Sequence, residues 1–376
     1  MITAKLDIAE PTITELAPVK ISSHDAVRVV TLNRPRAHNA LDAAMTGVLL
    51  AAVPQIARDP NAYAIVLRAA RTGPFCVGGD VREMARLAIT DPDVAARALA
   101  AEYELVWMLE CFSKPVISLI DGAVMGAGAG ITTVNTHRVA GANYAFSMPE
   151  VRIGFFPDDG ISAVLARMPD CIGIYLGLTG RAIGRDDAFA LGLVTHCIDV
   201  TEFGKIEQCL GNADPVDPLL DDLHQPVGPG ELSARRALIA DCFSATSVEV
   251  ILARLAEVRE GAPLEVERQW AANVLSDLAL ASPCALKIAL RHIRDASALD
   301  LRQTLMLDCR IGRRLIGAHD FQEGVRARLV DRDRAPQWRW PTCEDVSAPY
   351  IDGLFKASIG EELILPTRTE MQSARV

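Results

Sequence analysis

Short apolar runs alternate with helix-like blocks along the first half of the chain. Residues 27–32 and 64–68 are rich in β-branched residues, and residues 115–120 form a third, more uniformly apolar run; all three predict strands. Residues 41–57 and about 94–109 have the composition and spacing of helices. Strands and helices that alternate in this way predict an α/β domain.

The pattern divides the chain into five parts. Residues 26–202 form the predicted α/β core, and residues 203–230 have weak periodicity and several prolines, which predicts a linker or surface excursion. Residues 231–344 intersperse apolar positions with charges, which predicts a mostly helical region that packs on the core or on a partner subunit. Residues 1–25 are expected to be a loosely held extension, and residues 345–376 an extended or partly mobile tail.

Composition and charge exclude several classes of protein. The 376 residues carry a formal net charge of -10 and no long basic run, which argues against binding of nucleic acid. The nine cysteines are scattered without zinc-ligand spacing, so we expect reduced thiols, no metal site and a cytoplasmic protein. No apolar run reaches the roughly 18 residues of a membrane span, so no membrane partner is expected. The seven histidines lack a partner in a motif and are left out of the predicted mechanism.

Two carboxylates lie close together in a mostly apolar stretch, residues 148–160. Glu150 and Asp158 have few polar neighbours in the sequence, so each either finds a partner or keeps a raised pKa. A raised pKa suits general acid or base work near neutral pH. On these residues alone, ordinary loop acids beside a helix start are an equally good interpretation.

A glycine-rich turn, residues 122–131, follows the third predicted strand and fits the start of a helix. Amides at a helix N-terminus are unpaired and can hold a developing oxyanion. The loop at residues 75–80 is a second source of such amides. The same glycines could serve close packing alone, and the turn matches no dinucleotide or phosphate-loop fingerprint.

Together these motifs resemble the crotonase (enoyl-CoA hydratase/isomerase) superfamily, and in particular its 3-hydroxyisobutyryl-CoA hydrolase branch. The matching stretches, in the expected order, are residues 31–35, 39–41, 75–81, 114–115 and 125–128. Residues 148–158 follow the branch pattern MPE-x-x-IG-x-FPD, whereas typical hydratases have Pro-Gly where this chain has Pro157-Asp158. Hydratases also carry a catalytic glutamate where this chain has Gly130.

The resemblance implies a fold, an activity and a set of partners. The fold would be α/β, with a crotonase-like core of repeated ββα units followed by a mostly helical C-terminal region. The substrate would be a short acyl-CoA thioester, and the activity its hydrolysis, as in valine catabolism. The protein would be a homo-oligomer. CoA belongs to the substrate, so no separate cofactor is expected.

By this resemblance, two backbone amides and two acids carry the reaction. The amides of Gly79 and Ala127 would form an oxyanion hole around the thioester carbonyl oxygen. Glu150 would attack the carbonyl carbon as a nucleophile or activate the water that does so, and both routes stay open. Asp158 would bind the 3-hydroxyl of the substrate or manage the proton at the sulfur leaving group.

The resemblance assigns three more residues to binding. Glu102 matches a substrate-contacting acid of the branch, and an exposed acid on a helix face is its alternative interpretation. Arg34 or Arg36 lies where the superfamily usually meets the nucleotide of CoA, and the alternative for each is a solvated surface arginine.

The chain also departs from the hydrolase branch. Ala127 replaces a glycine at the predicted oxyanion position, which adds a Cβ to the turn. Asp159 and Ile161 lie where the branch has Val-Gly-Gly after Asp158, so substrate choice is expected to differ. Three hypotheses follow: an acyl-CoA thioester hydrolase, which leads; an enoyl-CoA hydratase or isomerase; and a non-catalytic CoA-binding protein.

Overall fold

The structure is a computed structural model that describes residues 17–357 and 362–375. Its strands are β1 (Val19–His24), β2 (Val27–Leu32), β3 (Ala64–Ala69), β4 (Val116–Ile120), β5 (Ala123–Met125), β6 (His137–Ala140), β7 (Ala145–Ser147), β8 (Ile183–Gly184) and β9 (His196–Cys197). The first helices are α1 (Ala43–Arg58), α2 (Val81–Thr90), α3 (Pro92–Cys111), α4 (Ala127–Thr133), α5 (Ile161–Ala166), α6 (Ile172–Thr179), α7 (Arg185–Ala190), α8 (Phe203–Gly211) and α9 (Val216–Leu223). The C-terminal helices are α10 (Arg236–Phe243), α11 (Val248–Gly261), α12 (Glu265–Ala279), α13 (Pro283–Asp295), α14 (Leu301–Leu315), α15 (His319–Val325), α16 (Ala348–Phe355) and α17 (Arg368–Ser373).

Two sheets form the first half of the molecule. The larger has the order β1-β2-β3-β4-β6-β9, with every neighbouring pair parallel except the antiparallel β1 and β2. The smaller has the order β5-β7-β8. The predicted strands at residues 27–32, 64–68 and 115–120 correspond to β2, β3 and β4, whose β-branched residues are almost all buried, as in parallel strands covered on both faces.

The strand β1 lies in a segment that the sequence assigned to a loose N-terminal extension. Val19–His24 pairs with β2 along its whole length, after a turn in which Asp25 has a φ of 50°. Only Val19 of the six residues is buried, because β1 is the edge strand of the sheet. An edge strand with exposed side chains carries little hydrophobic pattern, which is why the sequence did not reveal it. The rest of that prediction, residues 1–16, lies outside the described residues.

The predicted linker at residues 203–230 is wrong over most of its length, since it contains α8 and α9. These helices bury Ile206, Leu210, Val216 and Leu220 in an apolar cluster with the outer face of β2, β3 and β4. Pro215 precedes α9 and does not interrupt it. Residues 212–215, between the two helices, and residues 224–230 keep the irregular character that the prolines indicated.

The helical C-terminal region is confirmed by α10 to α15, which extend the main core. The tail differs from its prediction, because it is hydrogen-bonded to the rest of the protein and packs against it. Trp107 donates a hydrogen bond to the carbonyl of Pro366 (2.8 Å), and Arg302 donates one to the carbonyl of Leu365 (2.8 Å). Leu365 is 1% exposed and Met371 is 8% exposed, so burial of these two apolar side chains holds the tail in place.

The described residues contain neither a single membrane-spanning helix nor a cluster of metal ligands. No single helix in this part of the chain is long and apolar enough to cross a membrane. Glu265–Ala279 and Pro283–Ala298, bent by 108° at their junction, have that length and composition only when taken together. Both members of this pair pack into the main core, where Trp270 and Ile288 are buried. No cluster of three or more histidine, cysteine or acidic residues there could hold a metal ion.

Candidate active site

The stretch at residues 148–160 forms one wall of a cavity of about 560 Å³. Glu150 begins a short 3₁₀ helix that ends at Gly154, whose φ of 72° is a left-handed conformation that glycine adopts without strain. A Cβ at Gly154 would lie 2.3 Å from the carbonyl oxygen of Asp320, so the turn packs directly against α15. Glu150 is 8% exposed, and its Oε2 has no hydrogen-bond partner in the described part of the chain.

The two glycine-containing loops meet at the same cavity. Gly78 has a φ of 102° and Gly126 a φ of 47°, and both conformations favour glycine. A Cβ at Gly126 would lie 3.3 Å from Cα of Gly78 and 3.2 Å from Oε1 of Glu150. The backbone of Leu41 holds the loop that contains Gly78 in place. Its N–H donates a hydrogen bond to the Gly78 carbonyl (2.8 Å), and its carbonyl accepts one from the Asp80 amide (2.7 Å). Because Gly78 and Gly126 have no side chains, the two loops and the Glu150 carboxylate can lie in contact.

The amides of Gly79 and Ala127 lie beside this junction. Neither donates a hydrogen bond to any residue in the described ranges, and both residues line the cavity. A Cβ at Gly78 would lie 3.6 Å from the nitrogen of Ala127, so the two loops place their amides close together. Ala127 is 2% exposed, so the methyl group that distinguishes it from glycine is almost fully covered by protein.

Asp158 follows in the same stretch and is 6% exposed. Its Oδ2 accepts a hydrogen bond of 2.7 Å from the hydroxyl of Tyr103, a residue of α3 that is fully buried. Burial and then the charge of Asp308 raise the pKa of Asp158 to about 7, while the hydrogen bond from Tyr103 acts in the opposite direction. Asp158 can therefore exchange a proton near neutral pH.

Glu102 precedes Tyr103 on α3 and also reaches the cavity. Its Oε2 lies 3.0 Å from where a Cβ of Gly79 would be, so the carboxyl group touches the backbone that carries one of the free amides. Burial, followed by the charges of Asp158 and Asp80, raises the pKa of Glu102 to about 8. The alternative of an exposed acid on a helix face does not describe this position.

Asp159 contributes a further carboxyl group to the cavity wall. It is 2% exposed, has a φ of 54°, and its Oδ1 has no partner among the described residues. Burial and then the charges of Asp158 and Glu102 raise the pKa of Asp159 well above its usual range. A Cβ at Gly130 would lie 2.6 Å from the Cβ of Asp159, so Asp159 fills the space that a side chain at position 130 would need.

A buried hydrogen-bonded pair, His292 and Asp308, lies directly behind the segment that carries these acids. Asp308 accepts a hydrogen bond from the Gly160 amide at its Oδ2 (2.8 Å) and another at its Oδ1 from Nε2 of His292. His292 and Asp308 are both 0% exposed. Sequence analysis did not predict this pair, because its members lie on α13 and α14, far from Asp158 along the chain.

The predicted CoA-contacting arginines both line the cavity, but they differ in their surroundings. Arg34 donates a hydrogen bond of 2.8 Å to Asp80, lies 3.3 Å from an oxygen of Asp42, and donates one of 3.1 Å to the carbonyl of Ala40. Arg36 is exposed and forms no ion pair with any described residue. Its charge is thus open to a ligand, whereas that of Arg34 is already compensated.

Four arginines that the sequence analysis missed lie at the same cavity: Arg82, Arg152, Arg328 and Arg332. Arg82 and Arg332 are exposed and form no ion pair within the described ranges. Arg332 has a φ of 59°, and its neighbours Asp331 and Asp333 both pair with Arg326 (2.6 and 2.7 Å). Paired acids thus lie on both sides of the unpaired Arg332. In the sequence, this segment shows only a mixed run of charges.

Comparison with known proteins adds the family. Residues 27–355 match the sequence model of the family described as Enoyl-CoA hydratase/isomerase. The chain belongs to this family. It is 31% identical to the mitochondrial 3-hydroxyisobutyryl-CoA hydrolase of Rattus norvegicus, covering 92% of this chain and 90% of the relative. It is 33% identical to 3-hydroxyisobutyryl-CoA hydrolase 1 of Arabidopsis thaliana, covering 94% and 95%. These relatives confirm the prediction of an enzyme similar to the acyl-CoA thioester hydrolases.

Solved structures confirm the predicted crotonase-like fold. A carnitinyl-CoA dehydratase from Mycobacterium thermoresistibile superimposes with a TM-score of 0.85 at 31% identity, covering 92% of this chain and 98% of that one. An enoyl-CoA hydratase from Rhodobacter sphaeroides gives the same TM-score and identity, covering 93% and 100%. Relatives of similar identity thus bear the names of different reactions, so the residues of the site must distinguish between them.

Proposed function

We propose that this family member hydrolyses the thioester of a short 3-hydroxyacyl-CoA, of the 3-hydroxyisobutyryl-CoA type, to the free acid and CoA. One observation carries the proposal: the Glu150 carboxylate lies against Gly126, beside the two unpaired amides of Gly79 and Ala127. A carbonyl group bound at those amides would place its carbon within reach of Glu150.

The amides would act on the carbonyl oxygen. As the carbonyl carbon is attacked, negative charge develops on that oxygen, and two fixed donors stabilise it without having to reorient. Removal of one such donor typically lowers the rate by about 10²–10³. The glycines at positions 78 and 126 support this role, because side chains there would crowd the loops and displace Glu150.

Glu150 would act on the carbonyl carbon. Attack by its carboxylate forms a mixed anhydride and expels the CoA thiolate; water then cleaves the anhydride and restores the carboxylate. Alternatively, Glu150 takes a proton from a water molecule that attacks directly. Burial raises the pKa of Glu150 well above its usual range, and the charge of Asp158 adds to this, so the ionised carboxylate is a stronger base and nucleophile than one in water.

Asp158 would serve the other end of the reacting group. With a pKa of about 7, it can accept a hydrogen bond from the 3-hydroxyl group as a carboxylate, or give a proton to the leaving sulfur as an acid. Tyr103 holds its Oδ2 in place. Glu102, which touches the backbone of Gly79, would contact the same part of the substrate.

The nucleotide part of CoA would bind at the arginines of the cavity. A protein with a formal net charge of -10 needs local cations to attract a polyanion. Arg36, Arg82 and Arg332 supply them without competing ion pairs among the described residues. Guanidinium groups also match phosphate geometry well. The compensated charge of Arg34 makes it a weaker candidate than Arg36.

The proposed hydrolysis also bears on the need for a cofactor, and the family resemblance on the oligomeric state and the cellular location. Water is the only co-reactant that thioester hydrolysis requires, so we propose that no metal or redox cofactor takes part. From the family resemblance we further propose a homo-oligomer that acts in the cytoplasm and in valine catabolism. Light scattering of the purified protein would test the assembly.

Hydration of an enoyl-CoA is the second candidate, because two solved structures that are 31% identical to this chain are described as a hydratase and a dehydratase. The family's second glutamate is absent at Gly130, and Asp159 leaves no room for it. Water addition by the usual pair of glutamates is therefore disfavoured. The position of Asp158, in place of the hydratase glycine, favours hydrolysis.

The deciding experiment measures thiol release from a panel of short acyl-CoAs, with Glu150→Gln as the variant and Glu104→Gln as the control. Glu104 lies on α3, two residues after Glu102, but is exposed and outside the cavity. Release of CoA from 3-hydroxyisobutyryl-CoA or 3-hydroxypropionyl-CoA, lost in Glu150→Gln alone, is expected. Hydration of crotonyl-CoA without thiol release would favour the second candidate. Binding without turnover, unaffected by Glu150→Gln, would indicate a non-catalytic CoA-binding protein.

A further inference from the structure

Helix α14 packs an apolar face, with one acid in it, against the segment that carries Asp158. Leu301, Leu305 and Asp308 follow one another at intervals of four and three residues, so they lie on one side of the helix. A Cβ at Gly160 would lie 2.4 Å from Cδ1 of Leu301 and 3.4 Å from Cδ2 of Leu305. Asp308 is therefore a buried carboxyl group at a position where packing alone would favour another apolar residue.

Asp308 holds the turn that follows Asp158. Asp159 and Gly160 have φ values of 54° and 75°, and the Ile161 amide donates a hydrogen bond to the Asp158 carbonyl (2.9 Å), as in a type I′ turn. Such a turn provides no acceptor for the amide of its third residue, here Gly160. Oδ2 of Asp308 accepts that hydrogen bond (2.8 Å). Asp308 thus stabilises the backbone conformation that carries the Asp158 side chain.

His292 fixes the orientation of Asp308. Its Nε2 donates a hydrogen bond to Oδ1 of Asp308, while Oδ2 faces Gly160. Nδ1 of His292 is buried and has no partner among the described residues, so an N–H at that atom would be left unpaired at a cost. The ring therefore carries its hydrogen on Nε2. Both oxygens of Asp308 accept hydrogen bonds, so this carboxyl group is ionised inside the protein.

Helix α14 also contacts Asp158 through Tyr103. Gly312 lies one turn after Asp308, and a Cβ at Gly312 would lie 3.1 Å from the hydroxyl oxygen of Tyr103. That hydroxyl donates the 2.7 Å hydrogen bond to Oδ2 of Asp158. One face of α14 therefore supports both the turn after Asp158 and the partner of its carboxyl group.

The surroundings of the pair are apolar or acidic. Phe156 and Phe355 place aromatic rings against His292, with ring centroids 5.3 and 6.2 Å away. In such surroundings the charge of Asp308 is felt by its neighbours more strongly than in water. It is the second cause, after burial, of the raised pKa of Asp158. The ionisable groups that face or adjoin Asp308 are Tyr103 of α3, Asp158 and Asp159 of the turn, His292 of α13 and Cys309 of α14.

We propose that His292 and Asp308 are a positioning pair for Asp158, which hold its turn through the Gly160 amide and keep a fixed negative charge behind its carboxyl group. Both residues are fully buried and neither lines the cavity, so they act through Asp158 and do not touch the substrate. The consequence for catalysis rests on the proposed function, in which Asp158 serves the reacting group. Without the charge of Asp308, Asp158 would exchange its proton only in more acidic solution.

Titration of Asp158 tests the effect of the charge. Carbon-13 NMR of aspartate-labelled protein follows the carboxyl carbon of Asp158, whose signal is identified by its loss in Asp158→Asn. The midpoint is expected near pH 7 in the wild type and about one pH unit lower in Asp308→Asn, which keeps the shape of the side chain and removes its charge. Leu305→Ala is the matched control, because it weakens the packing of α14 on the same turn without changing charge. It should lower the melting temperature and leave the midpoint unchanged. Equal midpoints in the wild type and Asp308→Asn would overturn the inference.

Hydrogen exchange at the Gly160 amide tests the part of His292. His292→Phe keeps an aromatic ring and removes the donor, so this amide should exchange about 10-fold faster. His292→Gln loses the ring, but its side-chain amide can donate in place of Nε2, so exchange should stay close to that of the wild type. If the ring served packing alone, the two variants would show the opposite order, which would contradict the inference. This comparison also decides the matter if Asp308→Asn does not fold.

Thiol release separates this inference from the proposed function. Neither spectroscopic test needs a substrate, so a shifted midpoint in a protein that releases no CoA would keep the positioning pair and reject hydrolysis. Where the wild type hydrolyses 3-hydroxyisobutyryl-CoA, the acidic limb of kcat/KM should move to lower pH in Asp308→Asn and stay in place in Leu305→Ala. Hydrolysis with an unmoved Asp158 midpoint in Asp308→Asn would keep the proposed function and reject the positioning pair.

Discussion

The hydroxyl of Tyr103 donates a 2.7 Å hydrogen bond to Oδ2 of Asp158, although the two residues lie 55 positions apart in the chain. The bond ties α3 to the segment that carries Glu150 and Asp158. Since α3 also carries Glu102, three acids of the cavity keep a fixed arrangement relative to one another. Several properties of the site should follow from this arrangement and can be measured.

Removal of the Tyr103 hydroxyl should change the pH dependence of turnover. The hydrogen bond favours the ionised form of Asp158, so Tyr103→Phe should raise the pKa of Asp158 above about 7. Less of the carboxylate is then available at neutral pH to accept the 3-hydroxyl group. We expect kcat/KM at pH 7 to fall about 10-fold and its acidic limb to move to higher pH. Isobutyryl-CoA, which has no 3-hydroxyl group, serves as the control substrate; an unchanged pH profile would contradict the role of Asp158.

The junction of the two loops should not tolerate a side chain at Gly126. Its φ of 47° is unfavourable for alanine, and the added Cβ would lie 3.2 Å from Oε1 of Glu150. Gly126→Ala should lower stability by about 1–3 kcal/mol and lower kcat/KM by at least about 100-fold. Gly184→Ala is the matched control, because Gly184 has a φ of -83° and nothing lies within 4 Å of its added Cβ. Thermal melting and thiol release measure both effects, and full activity in Gly126→Ala would rule out the proposed geometry.

Arg332 should matter for binding and little for the chemical step. Arg332→Ala is expected to raise KM for acyl-CoA several-fold with a nearly unchanged kcat, because an exposed charge pair contributes up to about 1 kcal/mol. The difference should shrink as salt is added. Arg97→Ala removes an exposed arginine of α3 that is outside the cavity, and should have no such effect. With an acyl-pantetheine substrate, which lacks the nucleotide phosphates, the Arg332 variant and the wild type should agree; a persistent difference would place the arginine elsewhere in the mechanism.

The crowded acids should also make folding stability depend on pH. Because the pKa of Asp159 is raised in the folded protein, the unfolded chain releases this proton first as pH increases from about 4. This difference lowers the free energy of unfolding. The loss is absent below the pKa that Asp159 has in the unfolded chain, grows as pH rises, and levels off at the pKa that Asp159 has in the folded protein. Asp159→Asn removes it, so the variant should gain melting temperature relative to the wild type at pH 8 and lose that advantage at pH 4. A difference that does not change with pH would mean that Asp159 is not the acid that holds the proton.

The central strands were predictable from sequence because burial on both faces forces a continuous apolar run. Residues 27–32 and 64–68 carry that signal, and they became β2 and β3 with little change in their bounds. Helices α8 and α9 were missed because prolines near their ends suggested a linker, while four buried apolar residues decided the outcome. Strand β1 was missed because an exposed edge strand needs no apolar face. The local hydrophobic pattern thus predicted the buried central strands well, but it did not predict how the exposed strand β1 pairs with β2.

The site shows the same division. Glu150 and Asp158 lie in one short stretch, so a motif could reveal them, and Glu102 followed from family resemblance. Tyr103 has the character of a core residue on α3, and only the folded chain brings its hydroxyl to Asp158. Arg82 and Arg332 belong to distant segments that meet at the cavity. Contacts between segments far apart in the chain are set by tertiary packing, which no local pattern encodes.

The hydrogen bond between the C-terminal tail and α3 matters for anyone who prepares a truncated form of this protein. Trp107, which holds the carbonyl of Pro366, lies one helical turn after Tyr103 on α3. A protease that removes the last dozen residues would therefore remove a contact on the same face of α3 as Tyr103, whose hydroxyl binds Asp158. Loss of activity in such a preparation would reflect the tail and not the chemistry.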